Sequence, residues 1–254
     1  MREITVDASV DQIKPVTDFV NQQLEELGCS TRTRIQIDVA IDEIFSNIAR
    51  YSYSETEGTA TVRVDVEEDP LSIIITFIDQ GYPYNPLSKE MPNTIGLPAK
   101  KRPIGGLGLF MVKKTMDAVS YSYENGQNIL TIRKKIKAGY FKPINYKEDK
   151  NRMSTTIFDK QDTVLTVKPH GRLDTATSPV LEQEMQQYLD GVLNVTMDFS
   201  DVEYISSSGL RVLLSTDQIL EDRGGNLRVI HVNEHILEVF RLVGFMEIVD
   251  VEDS

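Results

Sequence analysis

Apolar residues recur at three- and four-residue spacing in two early stretches. The first holds Ile13, Val16, Phe19, Val20, Leu24 and Leu27, the second Ile37, Ala40, Ile41, Ile44, Phe45 and Ile48. That is the period of one helix face, so helices are expected over 11–27 and, after Gly28, over 33–51. Period-two runs predict strands over 3–6, 59–67 and 71–78, the last two parted by an acidic turn at Asp69-Pro70. Residues 87–102 lack periodicity and carry Pro92, Gly96 and Pro98, which reads as a lid loop. A helix over 107–116 and a hairpin of 119–123 with 129–135 complete this half. Beyond a polar, helix-poor stretch, strands are expected at 164–167, 194–199 and 227–232. They alternate with helices at 177–189, from the Ser206–Ser208 cluster to 222, and at 236–243, followed by the stretch 247–251. Alternation at such short spacing predicts an α/β layer.

Charge sharpens the division. The chain of 254 residues has a net charge of −12. Residues 1–150 hold 19 Lys/Arg against 21 Asp/Glu, whereas 151–254 hold 8 against 18. Two domains are therefore expected, 1–138 and 155–254, with a linker over 139–154. The acidic balance argues against nucleic acid as a direct partner. The longest apolar run, around 73–78, is too short to span a bilayer, and the N-terminus lacks the apolar core of a signal peptide. The single cysteine, Cys29, excludes an internal disulfide, so a reducing cytoplasmic location is expected.

Three groups of residues carry candidate chemistry. Glu43 and Asn47 stand one helical turn apart and share a face, although Asn is a poor mid-helix residue. A carboxylate one turn from an amide suits a Mg²⁺ site in which the amide oxygen binds the cation and the Glu orients an oxygen nucleophile. Asp79, at a strand end with Gly81 two residues on, can accept a hydrogen bond from an exocyclic amine; turn chemistry alone also favours Asp-x-Gly there. Gly105, Gly106, Leu107, Gly108 and Leu109 run from a basic segment (Lys100, Lys101, Arg102) into an apolar helix, where glycines admit a ligand close to backbone N–H groups. The run is neither a dinucleotide fingerprint, since Met111 stands where the third glycine belongs, nor a P-loop, since no Gly-Lys-Ser/Thr follows.

Glu43 with Asn47, then Asp79-x-Gly81-x-Pro83, then a lid, then Gly105-Gly106-Leu107-Gly108-Leu109 resembles, in order and spacing, the GHKL ATPase fold. More narrowly it resembles the anti-sigma-factor serine-kinase branch, over 1–136. The resemblance implies an α/β sandwich of a mixed sheet with helices on one face, and ATP and Mg²⁺ as ligands. It implies Glu43 as general base, Asn47 as Mg²⁺ ligand, Asp79 on the adenine amine with Gly81 admitting the base, and Gly106 and Gly108 as the phosphate cradle. Several relatives carry a histidine three or four residues after the asparagine, where this chain has Arg50 and Tyr51. His170, His231 and His235 all lie in the second half, without the flanking pattern of a phospho-accepting helix and without metal-ligand spacing.

In the second half, Gly171-x-Leu173-Asp174 followed by Tyr204-Ile205-Ser206-Ser207-Ser208-Gly209-Leu210 resembles the STAS domain of anti-sigma-factor antagonists, over about 155–254. The serines alone read as a helix cap. The resemblance implies a STAS-type α/β fold and a phospho-acceptor at Ser207, with Ser206 and Ser208 as fallback acceptors; Ser206 replaces the usual Asp. Together the two resemblances imply a cytoplasmic bacterial partner-switching regulator, a protein serine kinase fused to its kind of substrate. Its implied partners are a sigma factor and separate STAS or anti-sigma proteins, with no membrane, and a homodimer is implied for the kinase half. The alternative is a non-catalytic nucleotide-binding interaction module that sequesters or releases partners.

Overall fold

The computed structural model describes residues 1–53, 57–88, 106–136 and 156–253. They fall into two units, which divide the chain near residue 147. The expected linker 139–154, Gly105 and all of the expected lid beyond Ser88 lie outside the described residues.

The first unit runs β1 (Arg2–Asp7), α1 (Ile13–Glu26), α2 (Thr31–Asn47), β2 (Thr59–Glu68), β3 (Leu71–Asp79), α3 (Leu107–Thr115), β4 (Ala118–Glu124) and β5 (Gln127–Lys135). Its sheet has the order β1-β2-β3-β5-β4. Every pairing is antiparallel, which corrects the mixed sheet expected for this half. The reason is local: β2–β3 and β4–β5 are hairpins, the second closed by Asn125 and Gly126, both at positive φ. One face of the sheet meets the helices. Ile73, Ile75 and Phe77 alternate into that core from β3, joined by Val62, Val64 and Ile132. Against them pack Val16, Val20 and Leu24 of α1, Ile37, Ile41, Ile44 and Phe45 of α2, and Val112 of α3. Each such side chain contributes about 1.5–3 kcal/mol on burial.

Ser30 caps α2 by accepting from the Thr33 N–H at 3.3 Å. At its other end the regular helix stops at Asn47, and residues Ile48–Ser52 form a π turn where continuous helix was expected. The wider turn delivers Tyr53, whose hydroxyl donates to the Thr59 carbonyl at 2.9 Å and accepts from the Gln80 N–H at 2.8 Å. One phenol thereby ties the end of α2 to the start of β2 and the end of β3.

The second unit contains β6 (Ile157–Gln161), β7 (Val164–Lys168), β8 (Gly171–Leu173), α4 (Ser178–Gln186), β9 (Asn194–Asp198), β10 (Val202–Ile205), α5 (Ser207–Glu221), β11 (Asn226–Val232), α6 (Glu234–Leu242) and β12 (Asp250–Asp253). Its sheet order is β12-β11-β9-β7-β6, with β8 and β10 forming a separate parallel pair. Parallel pairing holds throughout this sheet except where β6, which the sequence pattern does not announce, returns antiparallel onto β7. Asn233 caps α6 by accepting from Ile236 at 3.0 Å, so the helix begins earlier than periodicity indicates. A 3-10 turn at Phe245–Glu247 then delays the last strand to Asp250. Among the described residues, no helix is long and apolar enough to cross a membrane.

Asp217 on α5 is buried, and its carboxyl is pushed up to about 6, first by burial and then by the nearby Glu221, against the lowering effect of the Leu227 N–H it accepts. A raised carboxyl pKa means that the folded state holds a proton that the unfolded chain has already released. Stability from this source is full below about pH 4 and is lost as pH rises through about 6. Asp217→Asn keeps an oxygen for Leu227 and removes that loss. Urea unfolding at pH 4.5 and pH 7.5 is expected to show the variant gaining about 1–2 kcal/mol over the parent at the higher pH. An equal difference at both pH values would contradict the assignment.

Candidate functional site

The site is built where α2, the end of β3 and the start of α3 meet. On α2 the residues facing the sheet are apolar, and the turn bearing Glu43 and Asn47 is half-buried at the helix edge. The Asn47 Nδ2 donates to Glu43 Oε1 at 3.1 Å. This bond orients both groups at once: it holds the carboxylate, and it turns the amide oxygen of Asn47 away from Glu43, unpartnered among the described residues.

Gly106, at φ +88°, takes a backbone conformation that disfavours any side chain immediately before α3. Gly108, in the first turn of α3, is needed for a different reason. A Cβ placed there would stand 1.7 Å from Glu43 Oε2 and 1.9 Å from its Cδ. The helix therefore approaches the carboxylate more closely than any side chain permits. Leu109 packs against the hydrophobic core and Leu107 is half-buried. Of the five residues anticipated in this run, Gly106 and Gly108 thus have a geometric role in shaping the cradle, Leu109 anchors α3, and Gly105 lies outside the described residues.

Asp79 continues the phase of Ile73, Ile75 and Phe77, so its carboxylate lies on the helix-facing side at the sheet end, and it is buried. Its Oδ1 accepts from the Gly81 N–H at 2.9 Å and from Asn128 Nδ2 at 2.9 Å, leaving Oδ2 without a partner among the described residues. Gly81 is required by contact: a Cβ would lie 2.2 Å from the Ser52 carbonyl oxygen, which itself accepts from Tyr82 N at 3.0 Å. The π turn that ends α2 is therefore part of the wall beside Asp79.

Asn128 is the residue that reading the sequence missed, because it sits in what looks like a hairpin turn. It stands opposite Asp79 in the β3–β5 register, and its amide also donates to the Tyr82 carbonyl at 3.1 Å while its oxygen accepts from the Tyr121 hydroxyl at 2.7 Å and from Tyr84 N at 3.2 Å. The signal available beforehand was register: beginning the second hairpin strand at Gln127 aligns Asn128 with Asp79.

In the second unit, Ser206 is the N-cap of α5 and accepts from Ser208 N at 3.2 Å. The Ser208 hydroxyl pairs with that of Thr175 at 3.2 Å. Ser207 is buried, only 2% exposed. Gly209 lets α5 sit on β8, since a Cβ there would come 2.7 Å from the Leu173 carbonyl oxygen.

Comparison with known proteins agrees with both halves. A family model for the histidine kinase-like ATPase domain matches residues 6–134, and a model described as "Mlab, STAS domain" matches 156–250. A putative anti-sigma factor antagonist, BtrV of Bordetella bronchiseptica, is 35% identical over 97 residues, covering 38% of this chain and 84% of that protein. The serine-protein kinase RsbW of Bacillus cereus is 27% identical over 118 residues, covering 46% of this chain and 70% of that one. Among solved structures, an anti-sigma factor antagonist from Mycobacterium paratuberculosis aligns at 27% identity with a TM-score of 0.36, over 39% of this chain and 84% of that one. With the ATPase model spanning half of the chain and BtrV aligned over most of its own length, the chain belongs to the histidine kinase-like ATPase domain family in its first half and to the STAS family in its second.

Proposed function

We infer that the chain is a partner-switching regulator of sigma-factor activity whose first half is an ATP- and Mg²⁺-dependent protein serine kinase. The observation that carries this reading is the convergence of Glu43, Asn47 and Gly108: a carboxylate, an amide oxygen facing away from it, and a helix start kept bare of side chains. The names of relatives in each half, a serine-protein kinase and a putative anti-sigma factor antagonist, support the same pairing.

The residues present suit ATP with Mg²⁺. Asp79 Oδ2 can take a hydrogen bond from the adenine amine, while Asn128 and the Gly81 N–H hold Oδ1 and so fix the carboxylate plane. Gly81 lets the π turn that ends α2 close in beside Asp79 as the wall of the base side. Gly106 and Gly108 leave the N-terminal N–H groups of α3 accessible to phosphate oxygens. Asn47 would offer its amide oxygen to Mg²⁺, which would supply neutralisation of charge on the transferring group. Glu43 accepts the proton of the incoming serine hydroxyl. That oxygen bonds to the γ-phosphorus as the bond to the bridging oxygen breaks, and ADP leaves with the electron pair. The acceptor assigned is Ser207, whose phosphorylation would change which partner the STAS half holds and hence sigma-factor availability. A separate sigma factor and STAS or anti-sigma proteins are the partners this implies.

Incubation with labelled ATP and Mg²⁺ is expected to label the chain or an added STAS protein, with mass spectrometry locating phosphate at Ser207 or at its counterpart. Label on neither would refute the kinase assignment. Glu43→Gln is expected to lower transfer by about 100-fold or more while nucleotide affinity is retained; equal transfer by variant and parent would remove Glu43 from the role of base.

Gly108→Ala separates site geometry from helix stability. Alanine favours a helix by about 1 kcal/mol over glycine, yet its Cβ would strike the Glu43 carboxylate. Transfer is expected to fall at least about 10-fold through displacement of the base, while circular dichroism shows the fold intact. Full activity in a folded variant would show that the close approach is dispensable.

A further inference from the structure

We propose that Tyr53 is a positioning residue for base recognition, setting the preference for adenine over a purine that carries a carbonyl in place of the amine. It does so by fixing the backbone against which Asp79 is aimed. The proposal rests on the reading of Asp79 as the group that takes the adenine amine and adds what holds it in place.

The end of the sheet carries the first observation. The β2–β3 register closes with Ala60 opposite Asp79, so one step further Thr59 faces Gln80. The Tyr53 hydroxyl stands between those two residues. It donates to the Thr59 carbonyl at 2.9 Å and accepts from the Gln80 N–H at 2.8 Å. A direct ladder bond is itself about 2.9 Å long, so a bridging hydroxyl holds the two chains apart by roughly the width of one oxygen. The ring has a built seat: a Cβ on Gly58 would stand 2.2 Å from Tyr53 Cε1. Burial raises the pKa of the phenol, against the lowering effect of the Gln80 N–H, so it keeps the proton that it donates to Thr59.

The second observation is a complete account of the backbone donors that follow. Gln80 N–H goes to Tyr53, Gly81 N–H to Asp79 Oδ1 at 2.9 Å, Tyr82 N–H to the Ser52 carbonyl at 3.0 Å and Tyr84 N–H to Asn128 Oδ1 at 3.2 Å. Pro83 has none. The run 80–84 is thus pinned from two sides, by the π turn through Ser52 and Tyr53 and by the joined pair Asp79 and Asn128. Gln80 lies between the carboxylate of Asp79 and the Gly81 N–H that holds its Oδ1. A shift of the Gln80 peptide therefore moves both partners of that bond and turns Oδ2, the oxygen left for a ligand. A carboxylate accepts from an exocyclic amine and repels a carbonyl oxygen, so its aim is what separates the two kinds of purine.

The test uses the full chain with Mg²⁺ and two diphosphates that a kinase does not consume, ADP and inosine diphosphate, in which a carbonyl replaces the amine. Calorimetric titration of the parent is expected to favour ADP by about 10- to 100-fold, the worth of a hydrogen bond to a charged acceptor. Tyr53→Phe keeps the ring and removes the hydroxyl, and should narrow that ratio by about 5-fold or more while circular dichroism shows the fold intact. A loss of stability alone would weaken both nucleotides equally and leave the ratio unmoved. In an Asp79→Asn background the same substitution should leave the ratio as it is, because Tyr53 acts through the carboxylate. An unchanged ratio in folded Tyr53→Phe, or equal narrowing in both backgrounds, would overturn the proposal. Should Tyr53→Phe fail to fold, Gly58→Ala takes its place, since its Cβ displaces the ring, and the same two results decide. A parent that binds neither diphosphate would refute nucleotide binding by this half, a failure distinct from an unmoved ratio.

Discussion

The contact between Gly108 and the carboxylate of Glu43 constrains the rest of the first unit. A helix start can approach a glutamate this closely only without a Cβ, and only if the glutamate is held from the other side. Asn47 supplies that hold, and it can do so because α2 remains a regular helix as far as residue 47, which keeps Glu43 and Asn47 on one face. Immediately afterwards the helix widens into a π turn. Had the α period continued, Ser52 and Tyr53 would be rotated away from the end of β3. Instead the Ser52 carbonyl abuts Gly81 and the Tyr53 hydroxyl binds Gln80 N. The two ends of the proposed nucleotide site are thus set by one helix and the irregularity that ends it.

Much of this was legible in the residues themselves. The core faces of α1 and α2 follow from their three-and-four spacing, and Asn47 and Gly108 stand out as residue types ill suited to a helix unless something else uses them. What was not legible depends on register and on turn type, neither of which composition encodes. Asn128 becomes meaningful only when β5 is laid beside β3. The π turn has no breaker residue to announce it, since Ile48, Ala49 and Arg50 would serve a regular helix equally well. The mixed sheet came with the family resemblance and not with the residues of this half, where β1 pairs antiparallel with β2 after two intervening helices and β2–β3 and β4–β5 are hairpins. In the second unit β6 escaped notice because an edge strand buries only one face weakly: Ile157 is largely exposed, and Phe158 is covered mainly by stacking on Tyr188 at 4.5 Å.

The serine cluster shows how one short run can hold separate tasks. Ser206 satisfies an orphan N–H of α5, Ser208 joins the buried hydroxyl pair with Thr175, and Gly209 brings the helix against β8. Those three positions are fixed by packing. Ser207 is buried with them, 2% exposed.

The replacement of the usual aspartate by Ser206 follows the same logic. Serine and aspartate cap a helix comparably, so the substitution keeps the bond to Ser208 N. It removes, however, one negative charge from the residue next to the proposed acceptor. In a half that already carries about ten excess negative charges, a phosphate at Ser207 beside an aspartate would meet a like charge at close range, at a cost that falls only slowly with salt in a buried setting. Serine at position 206 therefore caps α5 without placing a fixed negative charge beside Ser207.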